Sequence, residues 1–134
     1  MKRFICLILL VAMAMLVIPE ASFETFAAAS EYSGCVDWKD AGRYEGKTIT
    51  IYGDVYSTYY AKNSNGRPTF INFTQPYTPG KIYVVIFEQN RGKFSSAPER
   101  MFANRKIKVT GKVKRYQDRY EIIVTKPSQI EIMK

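Results

Sequence analysis

The chain has 134 residues, a formal net charge of +8, no histidine and two cysteines. The lack of histidine removes the commonest general base and the commonest metal ligand at neutral pH, and two cysteines are too few for a zinc ribbon. The positive charge favours an anionic partner, such as nucleic acid, anionic lipid or an acidic polysaccharide, unless it serves only solubility.

The N-terminus has the layout of a secretory signal peptide. Lys2 and Arg3 precede an apolar run from Phe4 to Ile18, and small residues at Ala27 and Ala29 offer a cleavage site. The run of about fifteen residues is short for a bilayer span, which needs about 20, and an uncleaved membrane anchor is the alternative. We therefore expect residues 1–29 to be removed and the protein to be exported, either secreted or periplasmic.

The remaining residues, 30–134, are enough for a single domain with one core. They contain one thiol, Cys35, because Cys6 lies in the signal segment, so no internal disulfide is expected. Lipidation of Cys35 is disfavoured because Tyr32 stands where an aliphatic residue is expected. A partly buried free thiol is the better interpretation.

The domain begins with a predicted short helix. Trp38, Ala41 and Tyr44 have helical spacing, Asp37 is a candidate N-cap, and Gly46 stands where the helix would end.

From Lys47 the apolar period changes to two, which predicts a first strand. Its inward face holds Ile49, Ile51, Gly53 and Val55. The turn-rich segment "AKNSNGRP" follows as a loop, and the longer segment "YSTYYAKNSNGRP" assigns Tyr59 to the connection between the first and second strands.

Two further strands follow, "TFINF" and "IYVVIF", separated by the turn "YTPGK". Alternation places Ile71 inward and predicts that Phe70, Asn72, Tyr83 and Phe87 point outward.

A second short helix is predicted in "SSAPERMFANR", with Ser96 as its N-cap and Pro98 in its first turn. The fourth strand is "KIKVTGKVKR", "YQD" makes a tight turn, and the fifth strand is "RYEIIVT".

One seven-residue pattern occurs twice, as "ITIYGDV" in the first strand and "IKVTGKV" in the fourth. A glycine in the middle of a strand permits a sharp bend or a close approach of neighbouring groups. Gly53 and Gly111 are therefore interpreted as curvature devices on neighbouring strands. Five strands with a helix between the third and fourth predict an all-β fold with a short helix, a five-stranded Greek-key barrel.

The segments "AGRYEGKTITIYGDV", "RPTFINF", "YVVIF" and "KIKVTGKVKRYQDRYEIIVTKPSQI" resemble the OB-fold nucleic-acid-binding domains, and most of all a small, often exported bacterial group of them. The resemblance covers Trp38 to Ile130. It implies an OB-fold barrel, and it implies that Phe70 matches a second-strand aromatic residue that commonly stacks on a base.

Single-stranded nucleic acid binds OB surfaces through stacking on aromatic rings and through cations that follow the phosphates. The candidate residues on the strands are Tyr52, Tyr56, Phe70, Asn72, Tyr83 and Phe87. Those expected near the two loops beside the OB cleft are Tyr59, Lys62, Arg67, Lys112, Lys114, Arg115 and Arg119. Any one ring can instead be a packing residue, and Lys106 and Lys108 are read as guards against edge-to-edge aggregation.

We expect a binding module for single-stranded DNA or RNA, with no catalysis, cofactor or metal. The rivals are an OB module that binds an oligosaccharide or a protein, a periplasmic stress-type OB protein, and a nuclease. The nuclease is disfavoured because the carboxylates are scattered along the chain.

Overall fold

The computed structural model describes residues 33–134. The predicted signal peptide lies outside the described residues and therefore stays a prediction. In the described part of the chain, no helix is long and apolar enough to cross a membrane. Cys35 is a free, half-buried thiol, as expected.

Eight strands form the domain: β1 (Val36–Asp37), β2 (Thr48–Asp54), β3 (Ser57–Tyr60), β4 (Thr69–Asn72), β5 (Ile82–Ile86), β6 (Lys106–Tyr116), β7 (Arg119–Ile123) and β8 (Ile130–Ile132). Two short α-helices, α1 (Glu88–Arg91) and α2 (Pro98–Met101), lie between β5 and β6, and 3₁₀ helices span Trp38–Tyr44 and Pro127–Gln129.

The strands are hydrogen-bonded in the order β1-β2-β6-β7-β5-β4-β3, and β8 pairs with β6. No strand pairing closes this sheet, but β2 and β3, which lie near its two opposite ends, are consecutive in the chain. Together they correspond to the single first strand expected from the sequence. With β2 and β3 counted as one strand, β4 to β7 complete the five-stranded Greek-key arrangement, and the OB-fold prediction is confirmed.

The chain changes partner strands between Val55 and Tyr56. The Val55 amide donates to the Arg105 carbonyl at 2.8 Å, on the side of β6, whereas the Tyr56 amide donates to the Asn72 carbonyl of β4 at 2.7 Å. This switch is the bend that wraps one strand around the barrel. The assignment of Tyr59 to a loop was wrong, because the extended chain resumes after the switch and Tyr59 lies on β3.

The inward faces of the strands supply the core. Ile51, Ile71, Val84, Ile107 and Ile122 are fully buried. Their alternation with more exposed neighbours on β2 and β6 follows the period of two that predicted those strands.

The repeated glycines make room for side chains that pack on the strands. A Cβ on Gly53 would overlap the Trp38 ring and lie 2.9 Å from Phe73 Cδ1, and a Cβ on Gly111 would overlap the Ile122 side chain. Trp38 and Phe73 stack with centroids 5.9 Å apart. Close approach is therefore the observed reason for the repeated pattern.

The helix predictions are partly confirmed. Asp37 Oδ1 accepts a hydrogen bond from the Lys39 amide at 2.9 Å, but the helix that it caps is 3₁₀ rather than α. The Ser96 prediction was wrong, because the N-cap of α2 is Ala97 and no side chain caps it. Helix α1 was not predicted, since its four residues are too few to show a period.

Candidate nucleic-acid interface

A cavity of about 500 Å³ opens on the outer face of β3, β4 and β5. We call it the platform cavity, because aromatic rings form much of its wall. It is lined by Ser57, Thr58, Tyr59, Ala61, Ser64, Phe70, Asn72, Pro76, Tyr77, Tyr83 and Arg119.

The strand registers place five polar side chains in one row across this face. Ser57 pairs with Asn72, Asn72 with Tyr83, Tyr83 with Glu121, and Glu121 with Lys114. Partners in register share one face of a sheet. The row therefore runs from the β3 edge of the cavity to the exposed lysine on β6.

Arg119 lies at the centre of the aromatic wall. Its guanidinium carbon is 5.4 Å from the Phe70 centroid, 4.9 Å from that of Tyr83 and 5.3 Å from that of Tyr116. Arg119 Nη2 also donates to Glu121 Oε1 at 3.2 Å, and both side chains are largely buried. The paired carboxylate offsets the arginine charge, so this part of the cavity is polar with little net charge.

Three buried polar atoms on residues that line the cavity have no hydrogen-bond partner among the described residues: Asn72 Oδ1, the Tyr83 hydroxyl and Arg119 Nε. Asn72 Nδ2 is occupied, because it donates to Ser57 Oγ at 3.1 Å. The free groups are thus one acceptor, one hydroxyl and one donor. Leaving buried groups unpaired costs about 1–3 kcal/mol each.

This arrangement suits a flat, uncharged group with both hydrogen-bond donors and acceptors on its edge. Phe70 offers a partly exposed ring for stacking, and the three residues that carry the free atoms line the same cavity. A phosphate fits less well, because the Glu121 carboxylate and Asn72 Oδ1 would both repel it. A nucleobase has the required shape and edge chemistry.

Five of the predicted binding residues meet at this cavity: Tyr59, Phe70, Asn72, Tyr83 and Arg119. The expectation of an outward face holds for the three that were assigned to strands, Phe70, Asn72 and Tyr83, but two of these are buried. Asn72 is 2% exposed and Tyr83 is 3% exposed. The β4–β5 loop contributes Pro76 and Tyr77 to this cavity. Alternation predicts only the face on which a strand residue lies, so it could not predict that these loop residues line the cavity.

Other predicted residues do not line the cavity. Tyr52 pairs in register with Lys108 on the β2–β6 part of the sheet. Tyr56 is 58% exposed at the strand switch, and Lys62 is exposed in the β3–β4 loop. Arg115 lies over Tyr120, 5.8 Å from its ring centroid. The twist between the two arms of the first strand separates Tyr52 from Tyr59, although both follow one sequence period.

The remaining predicted residues lie at the margins. Phe87 and Arg67 line a second cavity of about 500 Å³, which lies beside the β3–β4 loop. Lys112 and Lys114 are exposed on β6, and Lys114 ends the polar row. In the described part of the chain, no carboxylate lies within ion-pair distance of either lysine, so both charges are available to phosphates.

Sequence reasoning missed Glu121, Ser57 and Tyr77. Glu121 had a usable signal, because a carboxylate within the apolar segment "YEIIV" has to be paired if that strand is buried. Ser57 and Tyr77 carried no such signal, since each joins the cavity only through strand pairing or loop placement.

An ion-pair cluster holds β3 against the helices. Arg91 Nη1 donates to Glu99 Oε2 at 2.7 Å and to Thr69 Oγ1, and its guanidinium lies 3.7 Å from the Tyr60 ring centroid. The Tyr60 hydroxyl donates to Glu88 Oε2 at 2.6 Å, which raises the pKa of Tyr60. The Arg91 hydrogen bond lowers the pKa of Glu99. The cluster fixes the strand that carries Tyr59.

Within residues 33–134, no group of three or more histidine, cysteine, aspartate or glutamate side chains could hold a metal ion.

Among curated proteins, no sequence matches the chain. Solved structures that are similar in fold to part of it include two aminoacyl-tRNA synthetases. Aspartyl-tRNA synthetase from Entamoeba histolytica is 20% identical, with a TM-score of 0.47, over 67% of this chain and 19% of that one. Asparaginyl-tRNA synthetase from Pyrococcus horikoshii is 20% identical, with a TM-score of 0.46, over 74% of this chain and 23% of that one. The chain thus spans about a fifth of each synthetase, and similarities at this level carry no argument about function.

The model of the family described as "OB-fold nucleic acid binding domain" matches residues 49–132. The matched range contains β3 to β8, all of β2 except Thr48, the platform cavity and the polar row. The chain belongs to the OB-fold nucleic-acid-binding domain family.

Proposed function

We propose that this domain binds single-stranded nucleic acid without catalysis, with one base inserted into the platform cavity. The observation that carries the proposal is the set of unpartnered buried atoms on residues that line the same cavity as Phe70. A base would stack on the ring and satisfy buried groups that otherwise cost stability. Duplex bases are less suitable, because their edges are already paired.

The charges around the cavity support a backbone path beside the base. Lys112 and Lys114 are exposed on β6, next to the polar row, and neither is neutralised by a carboxylate of the described residues. Phosphates outside the cavity would meet these lysines, while the base occupies the uncharged interior. The same division of roles is general in single-strand binding.

Export is a separate part of the proposal. It rests on the charged start, the apolar run and the small-residue site of residues 1–29. An exported domain would meet nucleic acid outside the cytoplasm.

The proposed binding is tested with a fluorescein-labelled oligothymidylate and with a probe of equal length and charge that carries abasic sites. We expect the base-bearing probe to bind more tightly, and we expect binding of both probes to weaken as salt rises. Absence of binding at low salt to any single-stranded DNA or RNA would favour the oligosaccharide or protein rival instead. Shortening of the probe in the presence of Mg²⁺ would contradict binding without catalysis.

A further inference from the structure

The β3–β4 loop carries the only asparagine of the chain that is followed by a glycine. Asparagine occurs five times in the sequence, and Asn65 precedes Gly66, whereas the other four precede serine, phenylalanine or arginine. Because glycine has no side chain, it leaves its backbone nitrogen accessible to the side chain of the preceding residue. The Asn65–Gly66 pair is therefore the position at which an asparagine side chain reacts most easily with its own backbone.

Both reacting groups of this pair are exposed and unpaired within residues 33–134. Asn65 and Gly66 are exposed residues of the loop. The Asn65 side chain forms no hydrogen bond there, and neither does the Gly66 amide nitrogen. By contrast, Asn90 is buried and its Oδ1 accepts a hydrogen bond from Lys93 Nζ at 2.8 Å. No hydrogen bond has to break before the Asn65 carboxamide and the Gly66 nitrogen approach each other.

The fold itself requires glycine after Asn65. The Arg67 amide donates to the Ser64 carbonyl at 3.0 Å, so Asn65 and Gly66 occupy the two central positions of a turn. The φ of Gly66 is +74°, in the left-handed region that favours glycine. A Cβ at this position would lie 3.0 Å from Phe87 Cδ1. Backbone conformation and packing thus both disfavour a larger residue, which would shield the nitrogen.

We propose that Asn65 is a site of spontaneous deamidation. Hydroxide removes the Gly66 amide proton, and the nitrogen attacks Asn65 Cγ and forms a bond to it. The Cγ–Nδ2 bond breaks, and Nδ2 takes a proton from water and leaves as ammonia, which regenerates hydroxide. Water then opens the cyclic imide. Addition at Cγ gives aspartate, and addition at the backbone carbonyl carbon of residue 65 gives isoaspartate.

Either product changes the loop. Both add a negative charge to a segment whose charged residues are Lys62 and Arg67. Isoaspartate also adds a methylene to the backbone inside the turn. The extra atom would disturb the bond between the Arg67 amide and the Ser64 carbonyl, and the bond at 3.2 Å from the Glu88 amide to the Gly66 carbonyl. The modification therefore lowers the positive charge of the loop and weakens its attachment to α1.

One consequence of the modification rests on the proposed function. A nucleic-acid strand in the platform cavity lies near this loop, because Ser64 lines both that cavity and the one beside the loop. The added charge would repel the phosphates of the strand. We expect single-stranded oligonucleotide to bind about 1.5- to 5-fold more weakly at low salt, the effect of one exposed charge. The modification itself does not depend on binding.

The test follows the modification in the intact protein by mass. Purified protein is incubated in buffers of increasing, mildly alkaline pH, and its peptides are analysed at intervals by mass spectrometry. Each deamidation adds about 1 Da, and fragmentation by electron transfer locates it and distinguishes isoaspartate from aspartate. We expect Asn65 to gain this mass before Asn63 and Asn104, the other exposed asparagines, at a rate that rises with pH.

Asn65→Gln keeps a neutral carboxamide but lengthens the side chain, so a larger ring would have to form. It should abolish the mass gain at this position. Asn63→Gln, in the same loop, is the matched control and should leave the rate at Asn65 unchanged. Asn65→Asp supplies the charge of one product without the reaction. Fluorescence anisotropy compares its affinity for oligothymidylate with that of the parent, and the difference should shrink as salt rises. Circular dichroism of each variant confirms folding.

The outcomes separate the modification from the proposed function. If Asn63 or Asn104 gains mass before Asn65, the turn holds the Gly66 nitrogen away from Cγ and the proposal is wrong. If Asn65 is deamidated but Asn65→Asp binds as tightly as the parent, the site stands and its effect on binding is refuted. If the parent binds no oligonucleotide, the proposed function fails, while the mass measurement still decides the modification.

Discussion

Asn72 and Tyr83 face each other across β4 and β5, and Asn72 Oδ1 and the Tyr83 hydroxyl are both buried without a hydrogen-bond partner in the described part of the chain. Buried groups that stay unpaired in the free domain lower its stability. They increase affinity if a ligand forms hydrogen bonds with them. Their effects on stability and on binding can therefore be measured separately.

Tyr83→Phe removes only the unpartnered hydroxyl. We expect the free energy of unfolding to stay level or rise by up to about 1 kcal/mol, because no hydrogen bond is lost, while affinity for single-stranded oligonucleotide falls. Urea unfolding and fluorescence anisotropy measure the two effects. Thr58→Val is the matched control: the Thr58 hydroxyl donates to the Glu99 carbonyl at 2.6 Å, so its loss should cost about 1 kcal/mol. A Tyr83→Phe variant less stable than Thr58→Val would mean that the Tyr83 hydroxyl is paired in the free domain.

Arginine and lysine variants should differ in their salt dependence. The sequence alone suggested Arg119 as a phosphate-binding cation, but Glu121 already offsets its charge. Arg119→Gln should therefore weaken binding with an unchanged log–log salt slope. Replacing Lys112 and Lys114 by glutamine should reduce the magnitude of the slope by about 0.7 for each lysine. Lys39→Gln, on the N-terminal 3₁₀ helix, is the control and should change neither quantity. A log–log salt slope of smaller magnitude for Arg119→Gln than for the parent would show that Arg119 contacts a phosphate.

Alanine at either repeated glycine should destabilise the fold. The new Cβ would overlap Trp38 at Gly53 or Ile122 at Gly111, and overpacking of this kind costs about 1–3 kcal/mol. Gly92→Ala is the control, because nothing lies within 4 Å of its Cβ position and its φ of −66° suits alanine. Thermal and urea unfolding compare the three variants. Parent-like melting of the first two would refute the close-approach explanation.

The Arg91–Glu99 pair should make stability depend on pH. The hydrogen bond from Arg91 lowers the pKa of Glu99 below its usual value of 4.5. A lowered pKa in the folded state gives stability that is present above the unfolded value and lost as pH falls through the folded one. Glu99→Gln should cost about 2 kcal/mol at pH 7, and the difference from the parent should shrink below about pH 4.

Urea unfolding at pH 7 and pH 3 checks this dependence. Glu45→Gln, an exposed position, should lie within about 0.5 kcal/mol of the parent at both values. A difference between parent and Glu99→Gln that persists unchanged at pH 3 would show that the pair does not titrate in this range.

Removal of the signal peptide is expected near Ala29 when the chain is expressed with its export system. Intact mass of the exported protein measures this directly. A mass that still includes residues 1–29 would support the membrane-anchor alternative.

The sequence by itself determined the longer strands and the inward faces of the barrel, but not the short strands β1 and β8 or the division of the first strand into β2 and β3. The period of two places Ile51, Ile71 and Ile107 on the inward face. This assignment does not depend on which strands pair, because alternation is a local property of extended chain. The same local reasoning placed Phe70 on the outer face. It also marked Gly53 and Gly111 as special positions on neighbouring strands, which it interpreted as curvature devices; the overlap with Trp38 and Ile122 came from the structure.

Only the tertiary structure decided which outward residues meet. The switch at Val55–Tyr56 sends Tyr52 and Tyr59 to different parts of the sheet, and the parallel pairing of β5 with β7 brings Tyr83 beside Glu121. Register and strand order join residues far apart in the chain, and neither is encoded in the local period of any one strand. The pairing of Arg119 with Glu121 follows from those long-range contacts, and so does the separation of the platform cavity, which has little net charge, from the exposed lysines of β6.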